Sequence, residues 1–131
     1  MPNTALSIAY VRRFVTTEVL TIGVETAVLF FLMRHVFKDH VLTTKQILFA
    51  GIFASFSTIP YVWFIFPNIM SWPRPTSLMY SEPFVTIIEA IFYRFALKTD
   101  WKVSIAISVI CNISSYVIDI ALRANGIWFY W

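Results

Sequence analysis

Two glutamates in strongly apolar surroundings are the residues of this chain best placed to do chemistry. Glu25 and Glu89 stand 64 residues apart, and each lies nine residues before a basic residue, Arg34 or Lys98. Nine residues of helix span about 13.5 Å, so both carboxyl groups are expected near the middle of a bilayer. A charge there costs on the order of 3 kcal/mol or more, so it normally points into the protein or toward water. Two acids at one depth predict a site in which Glu25 and Glu89 bind a metal cation or protons.

Small polar side chains are predicted to meet the two glutamates at their own depth. Ser55 and Asn112 each follow a lysine by ten residues, so two helices would return a hydroxyl and an amide to that level. Ser57, Thr58, Ser114 and Ser115 are expected nearby, where helix packing is favoured over ligation as the role of each hydroxyl. Because carboxylate, hydroxyl and amide oxygens are hard ligands, the set suits Na⁺, Mg²⁺, Ca²⁺ or Mn²⁺.

Further acids are predicted nearer the outer end of the same site. Glu18 and Glu82 each precede one of the deeper glutamates by seven residues, which places each pair on one side of its helix. Together with Asp119 they are expected to rim the outer mouth. Asp119 also precedes Arg123 by four residues, a spacing that predicts an ion pair. Besides the deeper pair, the predicted ion pathway comprises Glu18, Glu82, Ser55, Asn112, Ser114, Ser115 and Asp119.

A proton site is the close alternative to an ion site. Two carboxylates at one depth in a low dielectric cannot both ionise cheaply, so the pair is expected to hold or share a proton. A structural interpretation is that protonated Glu25 and Glu89 hydrogen-bond to serine and asparagine side chains and hold the helices together. Binding of an organic cation or a lipid headgroup is a further interpretation.

The elements that must position these residues are membrane-spanning helices. The chain is 59% apolar and 13% charged, which leaves too little polar material to cover a soluble globule. Apolar stretches cover about residues 14–33, 46–66, 83–97 and 103–122, and a helix needs about 20 residues to cross the hydrocarbon core. The third stretch is short by this measure. Pro60 predicts a kink in the second helix, and the whole pattern predicts an all-α, integral membrane four-helix bundle.

The chain also contains an internal repeat of its polar positions. Residues 14–66 and 80–122 share the order Glu, Glu, basic, Lys, Ser/Asn, Ser, Ser/Thr. The offset between the copies falls from 64 to 57 residues, which places seven additional residues in the first hairpin turn. Two tandem, parallel helical hairpins are therefore predicted, related by a pseudo-twofold axis along the membrane normal. They would form one transmembrane domain over residues 1–131, joined by a Pro-rich linker at about 67–82.

The distribution of basic residues predicts the orientation. Six of the ten Lys and Arg residues flank the two hairpin turns, and four lie on the opposite side. The positive-inside rule therefore favours cytoplasmic hairpin turns and both termini outside. The plasma (inner) membrane is the expected location.

These features predict a small transporter or channel-like protein for a cation or protons. A four-helix monomer has little room for a pore, so a homodimer or larger assembly in the lipid bilayer is expected. No nucleic acid and no cofactor other than a bound ion is expected. Two other functions stay open. One is a structural or accessory membrane subunit, and the other is an intramembrane enzyme whose paired acids act on a lipid-linked substrate. The lack of a recognisable nucleophile constellation favours a protein that is not an enzyme.

Overall fold

The computed structural model describes residues 8–126, except the side chains of Asn68, Arg74, Pro75 and Leu78. In that range the chain is helical, without strands, which confirms the all-α prediction. The four helices are α1 (Ile8–Phe31), α2 (Thr44–Pro60), α3 (Arg74–Ala96) and α4 (Trp101–Ala124). Two π-helical segments, Leu32–Val36 and Tyr61–Ile69, continue α1 and α2.

Three of the described helices are long and apolar enough to cross a bilayer. They span Ile8–Val36, Thr44–Pro67 and Trp101–Ala124, with 29, 24 and 24 residues. This agrees with the prediction of a membrane protein. Helix α3 has 23 residues, a length of about 34 Å, but Glu82 and Glu89 lie within it and lower its hydropathy.

The helices form a ring in which each packs mainly against two others. Helix α1 contacts α2 and α4, and α3 contacts the same two helices. Near the two hairpin turns, the space between the helices is filled by a cluster of buried residues that we call the apolar core. Its members are Leu29, Leu32, Met33, Leu42, Ile47, Ala50, Ala54, Tyr93, Leu97, Ile107 and Cys111.

Close contact between α1 and α2 depends on a glycine. A Cβ atom at Gly51 would lie 2.8 Å from Thr26 Oγ1 and 3.0 Å from Thr26 Cα. Because the second distance is to the backbone, a larger residue would force the two helices apart. The close approach also brings Ser55, about one turn beyond Gly51, toward Glu25 on α1.

Both even-numbered helices begin with a side-chain cap. Thr43 accepts a hydrogen bond from the backbone N–H of Gln46, whose side chain bonds back to Thr43 in a capping box. Asp100 accepts from the backbone N–H of Val103. The caps satisfy backbone donors that have no partner within the helix, and they lie 57 residues apart, the offset predicted for the later part of the repeat.

The first hairpin turn is longer than the second, as the sequence predicts, but by three residues and not by seven, because the other four additional residues lengthen the helix that precedes the turn. Helix α1 continues through one π-helical segment, and the turn then takes seven residues, 37–43, compared with four, 97–100, in the second hairpin. Arg34 holds the longer turn by donating hydrogen bonds to the carbonyl oxygens of Asp39 and Leu42, at 2.6 and 2.7 Å.

The connection between α2 and α3 is shorter than the linker predicted at about 67–82. The second helix stays helical to Ile69, and α3 begins at Arg74. Pro73 caps α3 and Pro75 lies in its first turn, where the missing backbone N–H has no helical partner to lose. These prolines therefore start a helix instead of extending a loop.

Pro60 marks a change in the second helix. Regular α-helical structure ends at this residue, and the following nine residues are π-helical. A proline cannot donate the backbone hydrogen bond that the α-helix requires, so a local change of hydrogen bonding is expected there.

Candidate functional site

Glu25 is buried between three helices and is held by two serines. Its side chain is 1% exposed. Ser55 Oγ on α2 donates a hydrogen bond to Glu25 Oε2 at 2.6 Å, and Ser115 Oγ on α4 donates to Oε1 at 2.9 Å. Both carboxyl oxygens thus have a partner, and each partner belongs to a different neighbouring helix.

Glu89 has an equivalent environment on α3. It is also 1% exposed. Asn112 Nδ2 on α4 donates to Glu89 Oε2 at 2.8 Å, and Thr58 Oγ1 on α2 donates to Oε1 at 2.9 Å. The structure therefore brings the two glutamates, Ser55, Asn112 and Ser115 together in one layer.

The two sets of hydrogen bonds follow one pattern. Each glutamate accepts one bond from the helix that follows it and one from the even-numbered helix of the other hairpin. Ser55 and Asn112 are 57 residues apart, and so are Thr58 and Ser115. Exchanging α1 with α3 and α2 with α4 consequently exchanges the two sets. The polar layer links all four helices at one level.

A cavity of about 480 Å³ extends from this layer toward the end of the bundle that contains the α2–α3 connection. Its lining runs from Glu25 back to Tyr10 on α1 and from Asn112 forward to Arg123 on α4. Glu25 and Glu89 are therefore at its deep end. All four helices contribute side chains to its wall.

The apolar core closes the other side of the polar layer. Leu29, Ile47, Tyr93 and Ile107 are completely buried there. Because they lie on the hairpin-turn side of the glutamates, the cavity is closed at that end. The described residues therefore enclose a cavity within the helix bundle, with the two glutamates at its deep end.

Two of the predicted outer acids line the cavity. Glu82 is exposed and lies on the wall contributed by α3. Asp119 lies on α4 and forms the predicted ion pair, with 2.6 Å between Asp119 Oδ2 and Arg123 Nη2. The other oxygen, Asp119 Oδ1, is buried and has no hydrogen-bond partner among the described residues.

Glu18 and Ser114 do not line the cavity. Glu18 is buried, and its Oε1 lacks a hydrogen-bond partner within residues 8–126. At about 100° per residue, Thr17 and Thr21 lie to one side of Glu25 around α1, whereas Glu18 lies slightly to the other. Ser114 is turned away from the layer and donates to the carbonyl oxygen of Ile110 in its own helix at 2.7 Å.

The sequence reasoning missed the aromatic and threonine lining. Tyr10, Trp63 and Tyr116 contribute to the wall. Thr17 and Thr21 also line it, and they precede Glu25 at intervals of four residues. That spacing places one row on one helix face, so it was a signal that could have identified the threonines.

The side-chain arrangement gives limited support to the predicted metal site at Glu25 and Glu89. Among residues 8–126, no group of three or more His, Cys, Asp or Glu side chains is placed to hold a metal ion. The oxygens available at the deep end of the cavity are those of Glu25, Glu89 and their hydroxyl and amide partners.

No protein-family model matches this chain, and neither a curated protein nor a solved structure shows detectable similarity to it.

Proposed function

We propose that the protein is a small membrane transporter in which Glu25 and Glu89 bind a cation or protons from the cavity. The observation that carries this proposal is the pair of buried carboxyl groups at the deep end of an acidic cavity. Two ionised carboxylates in a low dielectric repel each other and lose hydration. A proton or a cation bound between them lowers both costs.

The side chains that hydrogen-bond to Glu25 and Glu89 are suited to a site that binds and releases a cation or a proton. Ser55, Thr58 and Ser115 hold the carboxyl oxygens through hydroxyl groups. A hydroxyl can donate to a carboxylate or turn a lone pair toward a cation, so these groups suit both an empty and an occupied site. The amide nitrogen of Asn112 can only donate, which makes the environment of Glu89 less adaptable than that of Glu25.

We also infer that the bundle consists of two tandem, parallel hairpins, at about residues 14–66 and 80–122. The equivalent hydrogen bonds of Glu25 and Glu89 and the equivalent caps at Thr43 and Asp100 support this arrangement. Helix α3 would then cross the bilayer as α1 does.

The surface of α3 supports this assignment. Its glutamates Glu82 and Glu89 line the cavity, while its exposed side chains include Ile87, Ile91 and Phe95. Polar groups toward the bundle and apolar groups outward are the distribution expected in lipid.

The proposal includes cytoplasmic hairpin turns in the plasma (inner) membrane, so the cavity would open to the outside. Transport would then require a second conformation in which the apolar core parts and the glutamate layer faces the cytoplasm. Assembly into a homodimer or larger complex is part of the proposal, since interfaces between copies would give the helices a surface along which to move.

The experiment that tests transport is a flux measurement in sealed liposomes under Na⁺, K⁺ and pH gradients applied in turn. The parent is compared with the Glu25→Gln/Glu89→Gln double variant, which preserves side-chain shape but removes both ionisable groups. Glu18→Gln is the matched control, because Glu18 is a buried glutamate that does not line the cavity. Flux that is lost only in the folded double variant supports the proposal. Flux that persists in that variant excludes the glutamates from the pathway.

A structural or accessory subunit is the second candidate, and one observation favours it. All four carboxyl oxygens of Glu25 and Glu89 already accept a hydrogen bond from another helix. A fully bonded polar layer of this kind can hold membrane helices together without transporting anything. No flux in the parent, together with a lower unfolding temperature in the double variant than in Glu18→Gln, would support this role.

A further inference from the structure

We propose that the cavity binds an amphipathic organic cation, which reaches it from the bilayer through a groove between α3 and α4. This inference rests on the proposed function, because it names the class of cation that the site at Glu25 and Glu89 would take. The ligand would carry one positive charge and apolar groups around it, as a tertiary or quaternary ammonium ion or a phosphonium ion does.

The size of the cavity is the first observation. Its volume of about 480 Å³ falls within the range of about 300–1,000 Å³ that is usual for sites of drug-sized ligands. A proton or a bare metal ion occupies far less space. A cation that carries several rings or chains fills a volume of this kind.

The charge of the lining is the second observation. Glu25, Glu82, Glu89 and Asp119 line the cavity, and Asp119 forms an ion pair with Arg123 on the same helix. The other three carboxyl groups make no ion pair within residues 8–126. Since attraction between charges is stronger in a low dielectric, this excess of acid favours a positively charged ligand.

The aromatic part of the wall is the third observation. Tyr10, Trp63 and Tyr116 line the same cavity. Tyr10 donates a hydrogen bond to the carbonyl oxygen of Trp63 at 2.5 Å, and the two rings meet edge to face at 5.4 Å, which fixes both in place. Aromatic faces attract organic cations through cation–π interactions, and they also pack against apolar groups.

The route is indicated by a second concave surface. A groove of about 540 Å³ lies along α3 and α4. Its wall includes Ile87 and Ile113, whose side chains are 59% and 58% exposed. Glu82, Asn112 and Tyr116 line both the groove and the cavity, so the two spaces adjoin at these three side chains.

The position of Glu82 supports this route from the bilayer to the cavity. A carboxylate in contact with lipid is costly unless it meets water or a positive charge. Glu82 stands where the groove adjoins the cavity, so it can pair with the charge as the apolar body leaves the lipid. Glu89 and Glu25 lie deeper and would receive the charge next.

The test is equilibrium binding of tetraphenylphosphonium to the full chain in lipid nanodiscs. Triphenylphosphine oxide, which is neutral and of related shape, and tetramethylammonium, which has the charge without the aromatic body, serve as matched probes. Tetraphenylphosphonium is expected to bind at least about tenfold more tightly than either. Equal binding of the neutral probe would overturn the proposal.

Variants locate the site. Glu25→Gln/Glu89→Gln is expected to weaken tetraphenylphosphonium binding by at least about tenfold, whereas Glu18→Gln should leave it unchanged. Tyr116→Leu should weaken binding about fivefold, and Tyr116→Phe, which keeps the ring, should weaken it less. Unchanged affinity in the folded double variant would place the ligand elsewhere and overturn the proposal.

The rate of binding tests the groove. Ile113→Trp should obstruct the groove and slow the uptake of tetraphenylphosphonium about tenfold. Ile105→Trp is the matched control, because Ile105 is 50% exposed on the same helix and does not line the groove. Equal uptake rates in the two variants would overturn this route.

The failure of this inference can be told apart from failure of the proposed function. If Na⁺ or proton flux depends on Glu25 and Glu89 while tetraphenylphosphonium does not bind, the site transports ions and the organic-cation inference is wrong. If tetraphenylphosphonium binds at these glutamates but no flux of Na⁺, K⁺, protons or tetraphenylphosphonium itself is measured, the inference about the ligand holds and transport is wrong.

Discussion

The two ends of the bundle are built from the same four helices but pack in opposite ways. Near the hairpin turns, small residues such as Gly51 let the helices touch, and the apolar core fills the interior. Beyond the glutamate layer, the interface between α1 and the second helix contains large rings, including Tyr10 and Trp63 with centroids 5.4 Å apart. A cavity remains between the helices there.

This difference explains where a site can form in such a small membrane protein. In lipid, helices associate chiefly through close packing and polar contacts. We expect the close packing near the hairpin turns to compensate for the packing contacts that are missing around the cavity. Buried acids can then lie beside a cavity without separating the helices, because four hydrogen bonds join all of them at the boundary.

The largest effect on stability is expected when Ile107, near one end of α4, is shortened to alanine. Ile120, near the other end of the same helix, provides the comparison. Ile107 is fully buried in the apolar core, whereas Ile120 lines the cavity and is 47% exposed. Ile107→Ala should lower the free energy of unfolding by about 2–5 kcal/mol because it leaves a void. Ile120→Ala should cost less than about 1 kcal/mol. Equal losses, measured by denaturant unfolding in detergent, would contradict the division into a packed end and an open end.

A second comparison tests close packing with a single methyl group. Gly51→Ala should lower the free energy of unfolding by about 1–3 kcal/mol, because the added Cβ would press on the backbone at Thr26. Gly23→Ala is the matched control, since a Cβ there meets nothing within 4 Å. It should be neutral or stabilise the helix by up to about 1 kcal/mol. If thermal unfolding finds both variants alike, α1 and α2 are not closely packed at Gly51.

A third comparison probes the boundary between the two ends. Thr58→Val keeps the side-chain shape but removes the 2.9 Å hydrogen bond to Glu89. The free energy of unfolding should fall by about 1 kcal/mol. Ser57→Ala removes a bond to the carbonyl oxygen of Ala54 in the same helix and should change it by less than about 0.5 kcal/mol. A larger loss in Ser57→Ala would show that the layer does not join the helices as described.

The smallest effect is expected at the mouth of the cavity. Asp119→Asn removes the ion pair with Arg123, whose side chain is 37% exposed. Water and salt weaken such a pair, so the free energy of unfolding should change by less than about 1 kcal/mol. The difference from the parent should shrink as salt is added. A loss above about 2 kcal/mol that does not depend on salt would place Asp119 in the structural framework of the bundle.

Several features could be predicted from the residues alone. The all-α fold and the longer first hairpin turn are confirmed. The ion pair of Asp119 and Arg123 is also confirmed. Each depends on composition or on spacing along one helix or one turn, and such local relations do not require knowledge of how helices pack.

Other features could not be predicted, because local rules left them open. The Pro-rich segment at 67–82 was expected to be a linker, but proline also suits the first turn of a helix, and α3 begins at Arg74. Ser114 was placed in the pathway by its depth, yet it bonds to its own helix. Depth along a helix does not specify which way a side chain is turned in the assembled bundle.

The sequence by itself determined the level at which the acids lie, because the rise of a helix is constant and the intervals from Glu25 and Glu89 to their basic neighbours are equal. The tertiary structure decided which groups meet at that level. Thr58 reaches Glu89 and Ser115 reaches Glu25 across the two hairpins, while Glu18 stays outside the cavity. These contacts depend on how closely each pair of helices approaches and how each helix is rotated, and only the packing of all four helices together sets those quantities.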